Sequence, residues 1–582
     1  MQKDFFQYKI KIRNKQYTTA DGLSYENTAC ISFYDEFNRE IDYVERAYID
    51  TESIYNLIDN NKSLNLNECY IENFSLAVYR KSRILSKEEY VSINDFTAID
   101  AIFDSKIQSD FSYAKFNGQF VIFKNTSFIN GAVSFNSSHF GDVDADFSYC
   151  HFKNGNVDFS NSVFGEGKIE FKNSVFGSGH KNFQYADFGI GTNSFMNTDF
   201  GDGDVSFINV NFGDGKTTFK VARFGIGKID FHFSHFGSDD ISFERTEFGH
   251  GKTDFRKVDF GTGKVNFNRS VFGNCEVNFE GSTLKNGRMT FLKTTFGTGI
   301  KNFELCEFDD SDLIFTNTNL GYGNVSFSQS RFHKLLLTSC HLNNYFDLRV
   351  SSCKYLDLSD TVVRDIIDFT PYSHPVDIHI LNFEGMRILG QIHIDWKLNK
   401  VKDLILKQDK TDYQVKAEQF RILKENYSKV GNYSYEDQAY IQFKRNELKA
   451  GLYGSIKENP KNALWQYPLY LFKLIIFDKM GLYATSPARV LTSLVVIYLF
   501  FTTLHVLFPF IFNTSINCID YSQGFFKIIP DTLYYSLITF TTVGYGDCSP
   551  VGILRLIAML EGFIGPFMMS YFTVAFARKI LR

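Results

Sequence analysis

Large apolar side chains recur along the middle of the chain with a period of twelve. Phe stands at 123, 135, 147, 159 and every twelfth position to 327. A second series runs from 128 to 332 with the same period, and only Leu284 and Leu320 replace Phe in it. The two series alternate at intervals of five and seven residues, both odd. In one continuous strand, residues an odd number apart face opposite sides, so one aromatic series would meet water. The chain must therefore turn between them so that both point inward. Gly reaches positive φ without a Cβ penalty and fits such turns; Gly165-x-Gly167, Gly177-x-Gly179, Gly213-x-Gly215 and Gly261-x-Gly263 mark the corners. A twelve-residue coil cannot enclose two Phe, so two units per coil are expected, about 24 residues. With rungs ~4.8 Å apart, the regular part makes about nine rungs, roughly 40 Å long, with Phe ladders along its axis.

Other patterns follow downstream. Residues 335–370 read as a Leu/Val continuation of the same coil with less Gly. Residues 414–430 carry apolar positions 415, 420, 423, 427 and 430, which is helical spacing. Gly431-Asn432 closes that helix, and Ser434-x-x-Asp437 reads as a capping box opening a second one. The αα-hairpin reads equally as a lever toward a membrane or as a cap on the open solenoid end. Residues 464–483 mix Trp, Tyr and Lys with aliphatic residues, as in a helix lying in a membrane interface; an extra buried helix is the alternative. Residues 490–512 hold 23 residues without a formal charge at neutral His, enough at ~1.5 Å per residue to cross a bilayer core. A second apolar run, 552–577, is interrupted only by Arg555 and Glu561. The expected divisions are a mixed cap at 1–61 and a solenoid at 62–370, with regular repeats over about 111–334. A connector at 371–463 holds the hairpin at about 414–450. An interfacial helix at 464–488 leads to a two-span region at 489–582.

Composition sharpens this. The chain has 582 residues, a net charge of −5 and a mean hydropathy of −0.18, so most of it is not membrane. The 64 Phe and 41 Gly stand against 9 Pro and 2 Trp, and 34 of those Phe belong to the two series; the anomaly is that of a repeat. The acidic balance argues against a broadly basic nucleic-acid binder. Residues 101–340 carry 27 acidic against 23 basic side chains, too even for an acidic nucleic-acid mimic. Nine Cys without C-x-x-C spacing exclude a zinc ribbon and a dense disulfide scaffold. The start, MQKDFFQYKIKIRNK, lacks the apolar core of a signal peptide, which predicts a cytosolic location for what precedes the first span. Gly215-Lys216-Thr217 and Gly251-Lys252-Thr253 resemble the end of a phosphate-binding loop, but Val210 and Thr246 stand where its first Gly is needed. Turns such as Gly201-Asp202-Gly203-Asp204 lack the nine-residue recurrence of a calcium-binding roll. No cofactor is expected.

Between the two apolar runs lies Pro530-Asp-Thr-Leu-Tyr-Tyr-Ser-Leu-Ile-Thr-Phe-Thr-Thr-Val-Gly-Tyr-Gly-Asp547. Thr542-Val543-Gly544-Tyr545-Gly546, flanked by Thr541 and Asp547, matches the potassium-channel filter signature, and residues 485–582 resemble two-transmembrane potassium channels. The resemblance implies K⁺ as permeant ion, bound by backbone carbonyls at Thr542, Val543, Gly544 and Tyr545, with the Thr542 hydroxyl at the inner end. Gly544 and Gly546 permit the unusual backbone that aims successive carbonyls at one axis. Val543 and Tyr545 are expected to pack against the short helix 531–541, and Tyr534 and Tyr535 to form an aromatic cuff. Relatives often place a carboxylate where Ile538 stands. One chain supplies a quarter of each ring, so a homotetramer in the lipid bilayer is implied. Gly562, Gly565 and Pro566 read as a break and hinge in the second span, with close packing as the alternative for the Gly. Phe572 and Phe576 read as an inner gate. Glu561 reads as packed behind the filter or as snorkelling. Cys518 and Cys548 flank the pore loop, either bonded or free. Arg489, Arg578, Lys579 and Arg582 put both ends in the cytosol of a two-pass cell-membrane protein. No voltage-sensing Arg series is present.

The solenoid, over about 62–365, resembles the pentapeptide-repeat family, a quadrilateral β-helix of five-residue faces, departing from it in the seven-residue interval. The fold class expected is thus a β-helix solenoid plus an all-α two-span pore domain. The functional expectation is a K⁺-selective channel, not an enzyme, whose solenoid regulates or docks a partner that the sequence does not identify. The alternatives are a membrane-tethered scaffold with a non-conducting pore and, third, a pectin-lyase-type enzyme; the latter lacks an Asp/Arg cluster on one face.

Overall fold

A computed structural model describes residues 5–581 apart from positions 373 and 513. The first four residues of the leader reading and Arg582 of the basic cluster lie outside the described residues. The chain forms two compact units, 1–408 and 409–582.

In the first unit the strand pairings advance by 24 residues. Val121 pairs with Ala145, Ala145 with Ile169 and Ile169 with Asn193, all parallel. On a second face Val133 pairs with Val157, Val157 with Lys181 and Lys181 with Val205. The first face stacks fourteen strands, from Leu64–Asn65 to Ile378–Asn382. Each regular coil buries four large apolar side chains, as Phe159, Phe164, Phe171 and Phe176, with Leu284 and Leu320 the two that are not Phe. Phe147 and Phe171, one coil apart, stack at 4.9 Å and 5°; Phe159 and Phe171, half a coil apart, meet edge-on at 5.3 Å and 90°. The core is therefore four parallel ring ladders in two of the favoured aromatic geometries, each pair worth about 0.5–1.5 kcal/mol beyond area burial.

The five-residue interval turns mostly without Gly. Ser137 has φ 56°, and the Ser138 N–H donates to Phe135 O at 3.1 Å, the signature of a type II turn. The same left-handed residue recurs two places after each Phe of the first series, at Asn161, Asn173, Tyr185, Val221 and Phe233 among others. The next residue points inward, and where it is Ser, Thr or Cys it bonds back to the coil before: Ser162 Oγ donates to Phe135 O at 2.7 Å. Cys150 and Cys306 fill this same position, their thiols on Phe123 O and Phe279 O.

In the seven-residue interval the expected role of Gly needs correction. Gly213 does take φ +65°, but Gly167 does not, and a Cβ there would sit 2.0 Å from Val143 O of the preceding coil. Close approach of stacked turns, more than left-handed backbone, selects Gly at most of these corners. The acidic turns have a structural use too. Asp144 Oδ1 accepts the Lys168 N–H and Asp204 Oδ1 the Lys228 N–H, both at 2.8 Å, so each carboxylate bridges to the next coil.

Past the Phe series the coil shortens and then lengthens. Leu335 pairs with Leu356, and Leu356 with Leu381. Parallel pairing continues beyond residue 370, to Gln391–His393, because Leu, Ile and Val keep filling the inward positions that Phe fills earlier. At the other end, antiparallel strands Gln7–Arg13, Asn27–Tyr34 and Glu40–Ile49 join the stack where Ala47 pairs with Cys69. Short helices α1 (Thr51–Asp59), α2 (Leu76–Ser82) and α3 (Val401–Leu406) flank the solenoid.

The second unit is helical: α4 (Tyr413–Lys429), α5 (Tyr433–Glu458), α6 (Ala463–Lys473), α7 (Pro487–Ile511), α8 (Ile529–Phe540) and α9 (Leu554–Ile580). The cap of α5 is not Ser434. Asn432 caps it, accepting the Tyr435 N–H at 3.2 Å, which moves the start two residues upstream. A π-helical turn, Leu474–Lys479, follows α6. Helices α7 and α9 are long and apolar enough to cross a membrane.

Candidate functional site

The site is assembled by α7, α8 and α9. Phe501, Val506, Ile516, Ile519, Tyr535, Leu554 and Ile557 form one buried cluster among them, and Val490, Phe540, Met568 and Ala575 form another. Helix α8 opens with Pro530 and Asp531 in its first turn, residues suited to a helix start. It ends at Phe540, and the chain then turns back along it: Ile538 O accepts the Val543 N–H at 2.9 Å and the Gly544 N–H at 3.3 Å.

From there the backbone alternates. Thr542, Gly544 and Gly546 have φ of 56°, 55° and 83°, whereas Val543 and Tyr545 do not enter the positive region. Alternation of this kind turns successive carbonyls toward one side. Gly544 and Gly546 are expected to carry it; Thr542 joins them, at a position where a non-Gly residue is strained. Thr542 Oγ1 donates to Thr541 O at 2.7 Å, and Thr541 Oγ1 to Leu537 O at 2.7 Å.

Val543 and Tyr545 do not pack on α8 as expected. They are 51% and 73% exposed, because the chain doubles back through backbone bonds to Ile538 and carries both side chains outward. The two Tyr of the expected cuff separate. Tyr534 donates to Asp547 Oδ2 at 2.9 Å, fixing the outer end of the segment, whereas Tyr535 is buried edge-on against His505 at 5.1 Å. Flanking this segment, Ser515–Asn517 and Ser549–Val551 are bound together by Asn517 N–H to Ser549 O and Val551 N–H to Ser515 O, and Cys518 and Cys548 form a disulfide with Cα atoms 5.1 Å apart.

The expected break at Gly562, Gly565 and Pro566 is absent: α9 is continuous across all three. A Cβ on Gly565 would lie 1.8 Å from Phe540 O, so this Gly lets α9 touch the end of α8. Phe572 and Phe576 stack at 5.8 Å; Phe572 leans on the Val490–Phe540 cluster and Phe576 is exposed.

Glu561 does not snorkel. It is fully buried, Oε2 lies 2.8 Å from His505 Nε2, and Oε1 accepts from Ser536 Oγ. Neither partner is singled out by the sequence reading. The available signal is that each apolar run carries one interior ionisable group, His505 and Glu561, which is costly unless the two meet.

A second network ties α5 to the residues flanking the spans. Asp437 takes Arg578 at 3.1 Å and Lys579 at 2.9 Å, and the Arg578 guanidinium lies 4.4 Å from the Tyr440 ring centroid. Arg445 forks onto buried Asp478 at 2.8–3.1 Å. Between them Leu482, Tyr483 and Ala484 form three consecutive left-handed residues, φ 49° to 60°, costing ~1–2 kcal/mol each. Tyr571 Oη holds this turn, accepting the Ala484 N–H at 3.1 Å and donating to Phe477 O at 3.2 Å.

Residues 492–582 match the family model described as "Ion channel". No curated protein and no solved structure matches the chain. The C-terminal segment is thus that of an ion-channel family, joined to a solenoid that those comparisons leave without a relative.

Proposed function

We propose that the chain is one subunit of a potassium-selective channel, built as a homotetramer with Thr542–Gly546 of four copies lining one axis. The observation that carries this is the alternating left-handed backbone at Thr542, Gly544 and Gly546, at the carboxyl end of a short helix between two apolar ones. A K⁺ ion sheds its water only where oxygens replace the shell; the carbonyls of Thr542, Val543, Gly544 and Tyr545 are the proposed replacements. The carboxyl end of α8 adds negative potential on the inner side, and Asp547 adds it outside. The exposure of Val543 and Tyr545 fits side chains that a neighbouring subunit covers. Conduction is passive, with no covalent step and no resident cofactor.

The positive-inside rule applied to Arg489, Arg578 and Lys579 supports a cytosolic face for the inner ends of both spans, and with it a cytosolic solenoid acting as regulator or docking platform. The aromatic and aliphatic side chains that α6 exposes, Leu464, Trp465 and Tyr467, suit the inner interface. Rubidium uptake into liposomes holding the purified protein tests the reading. Uptake that potassium competes with and sodium does not is expected; a monomeric protein, or equal sodium flux, refutes it.

A further inference from the structure

We infer that Glu561, Ser536 and His505 are positioning residues for the filter, acting through α8; the inference rests on the channel reading above. Ser536 sits in the middle of α8, two residues before Ile538, whose carbonyl holds the N–H groups of Val543 and Gly544. Its hydroxyl donates to Glu561 on α9, and Glu561 in turn takes His505 on α7. All three are 0% exposed. One carboxylate therefore joins the three helices at the level of α8 from which the conducting backbone is suspended. Tyr498 Oη on α7, donating to Leu533 O at 2.9 Å, adds a second tie to the same helix.

The chemistry of the cluster is consistent. An enclosed carboxylate needs donors on its oxygens, and two are present, one per oxygen. His505 meets Glu561 through Nε2, and its Nδ1 faces no partner among the described residues. The other titratable side chains around Glu561 are Tyr498 on α7 and Tyr535 on α8. Partners from α7 and α8 on the two oxygens of one α9 carboxylate specify the height and rotation of α8 beyond what its apolar packing does.

Loss of that tie should loosen the filter before it unfolds the protein. In the full-length tetramer in liposomes, S536A is expected to raise sodium permeability relative to potassium about tenfold, the factor for a lost hydrogen bond to a charged group. S536T, which keeps the hydroxyl, should restore selectivity, and E561Q should act in the same direction as S536A. Assembled S536A and E561Q tetramers with wild-type selectivity overturn the inference. If E561Q does not assemble, the S536A and S536T pair decides alone, since one oxygen separates S536A from the wild type. A wild-type protein that fails to select potassium overturns the channel reading instead.

Discussion

Lys181 and Lys301 occupy the inward position that Val157, Val205, Val277 and Val325 fill in neighbouring coils, and both are 0% exposed. Each reaches out to backbone carbonyls at the corner: Lys181 Nζ to Asp202 O, and Lys301 Nζ to Gly297 O at 2.7 Å and Tyr322 O at 2.5 Å. Burial outweighs those bonds and brings both ammonium groups down from 10.5 to about 8. A drop of that size corresponds to about 3 kcal/mol against the charged form. The unfolded chain keeps its lysine protons up to about pH 10.5, whereas the folded chain gives them up near 8. Between those values the unfolded state binds more protons, so stability rises with pH there and the deficit is fully present below pH 8. Lys301→Met keeps the stem and removes the charge. At pH 7 it should stabilise the solenoid by about 2–3 kcal/mol, an advantage that shrinks as pH rises and is gone by about pH 11. Denaturant unfolding of the full-length protein in detergent, followed by the β signal in circular dichroism at pH 7, 9 and 10.5, measures this. A Met variant less stable than the wild type at pH 7 would refute the argument, because it would mean that the carbonyl bonds outweigh the desolvation.

Gly546→Ala puts a Cβ on a residue at φ +83° and should abolish potassium selectivity or conduction; unchanged rubidium flux contradicts the filter assignment. Gly565→Ala drives a Cβ into Phe540 O and should lower the melting temperature by separating α8 from α9, at a cost of ~1–3 kcal/mol; a thermal melt equal to wild type contradicts the contact. Asp437→Asn loses the charge that Arg578 and Lys579 share, about 1–2 kcal/mol after allowing for the exposure of Lys579, and single-channel records should show open probability shifted about tenfold. A shift that is zero, or that adds fully with Lys579→Met in a double-mutant cycle, counts against coupling of α5 to α9 through Asp437. Reducing Cys518–Cys548, which closes a separation of 30 residues, should destabilise the pore unit by about 3–4 kcal/mol on the chain-entropy estimate; an unmoved melting curve under reductant excludes that role.

What the chain discloses in advance depends on whether a feature is periodic or a meeting of singletons. The coil of 24 is legible because Phe recurs at intervals of five and seven, and parity alone forbids a single strand. The turn at Ser137, Val221 and Phe233 is not legible, because the left-handed residue there has no common side-chain type; the repeat imposes it from outside. Gly167 shows the same limit from the other side: its identity is visible, but its cause, a carbonyl one coil below, lies 24 residues away. In the pore unit the run Thr541–Asp547 is contiguous and therefore readable, down to the need for Gly544 and Gly546. Gly565 reads as a break when taken along its own helix and becomes a contact only when Phe540 of another helix is placed beside it. His505, Ser536 and Glu561 are further still from view, since each comes from a different helix and no spacing announces them. The part of the channel reading that is built within one chain is therefore the part least visible in its sequence: whether a carboxylate buried between three helices governs which ion passes a backbone it never touches.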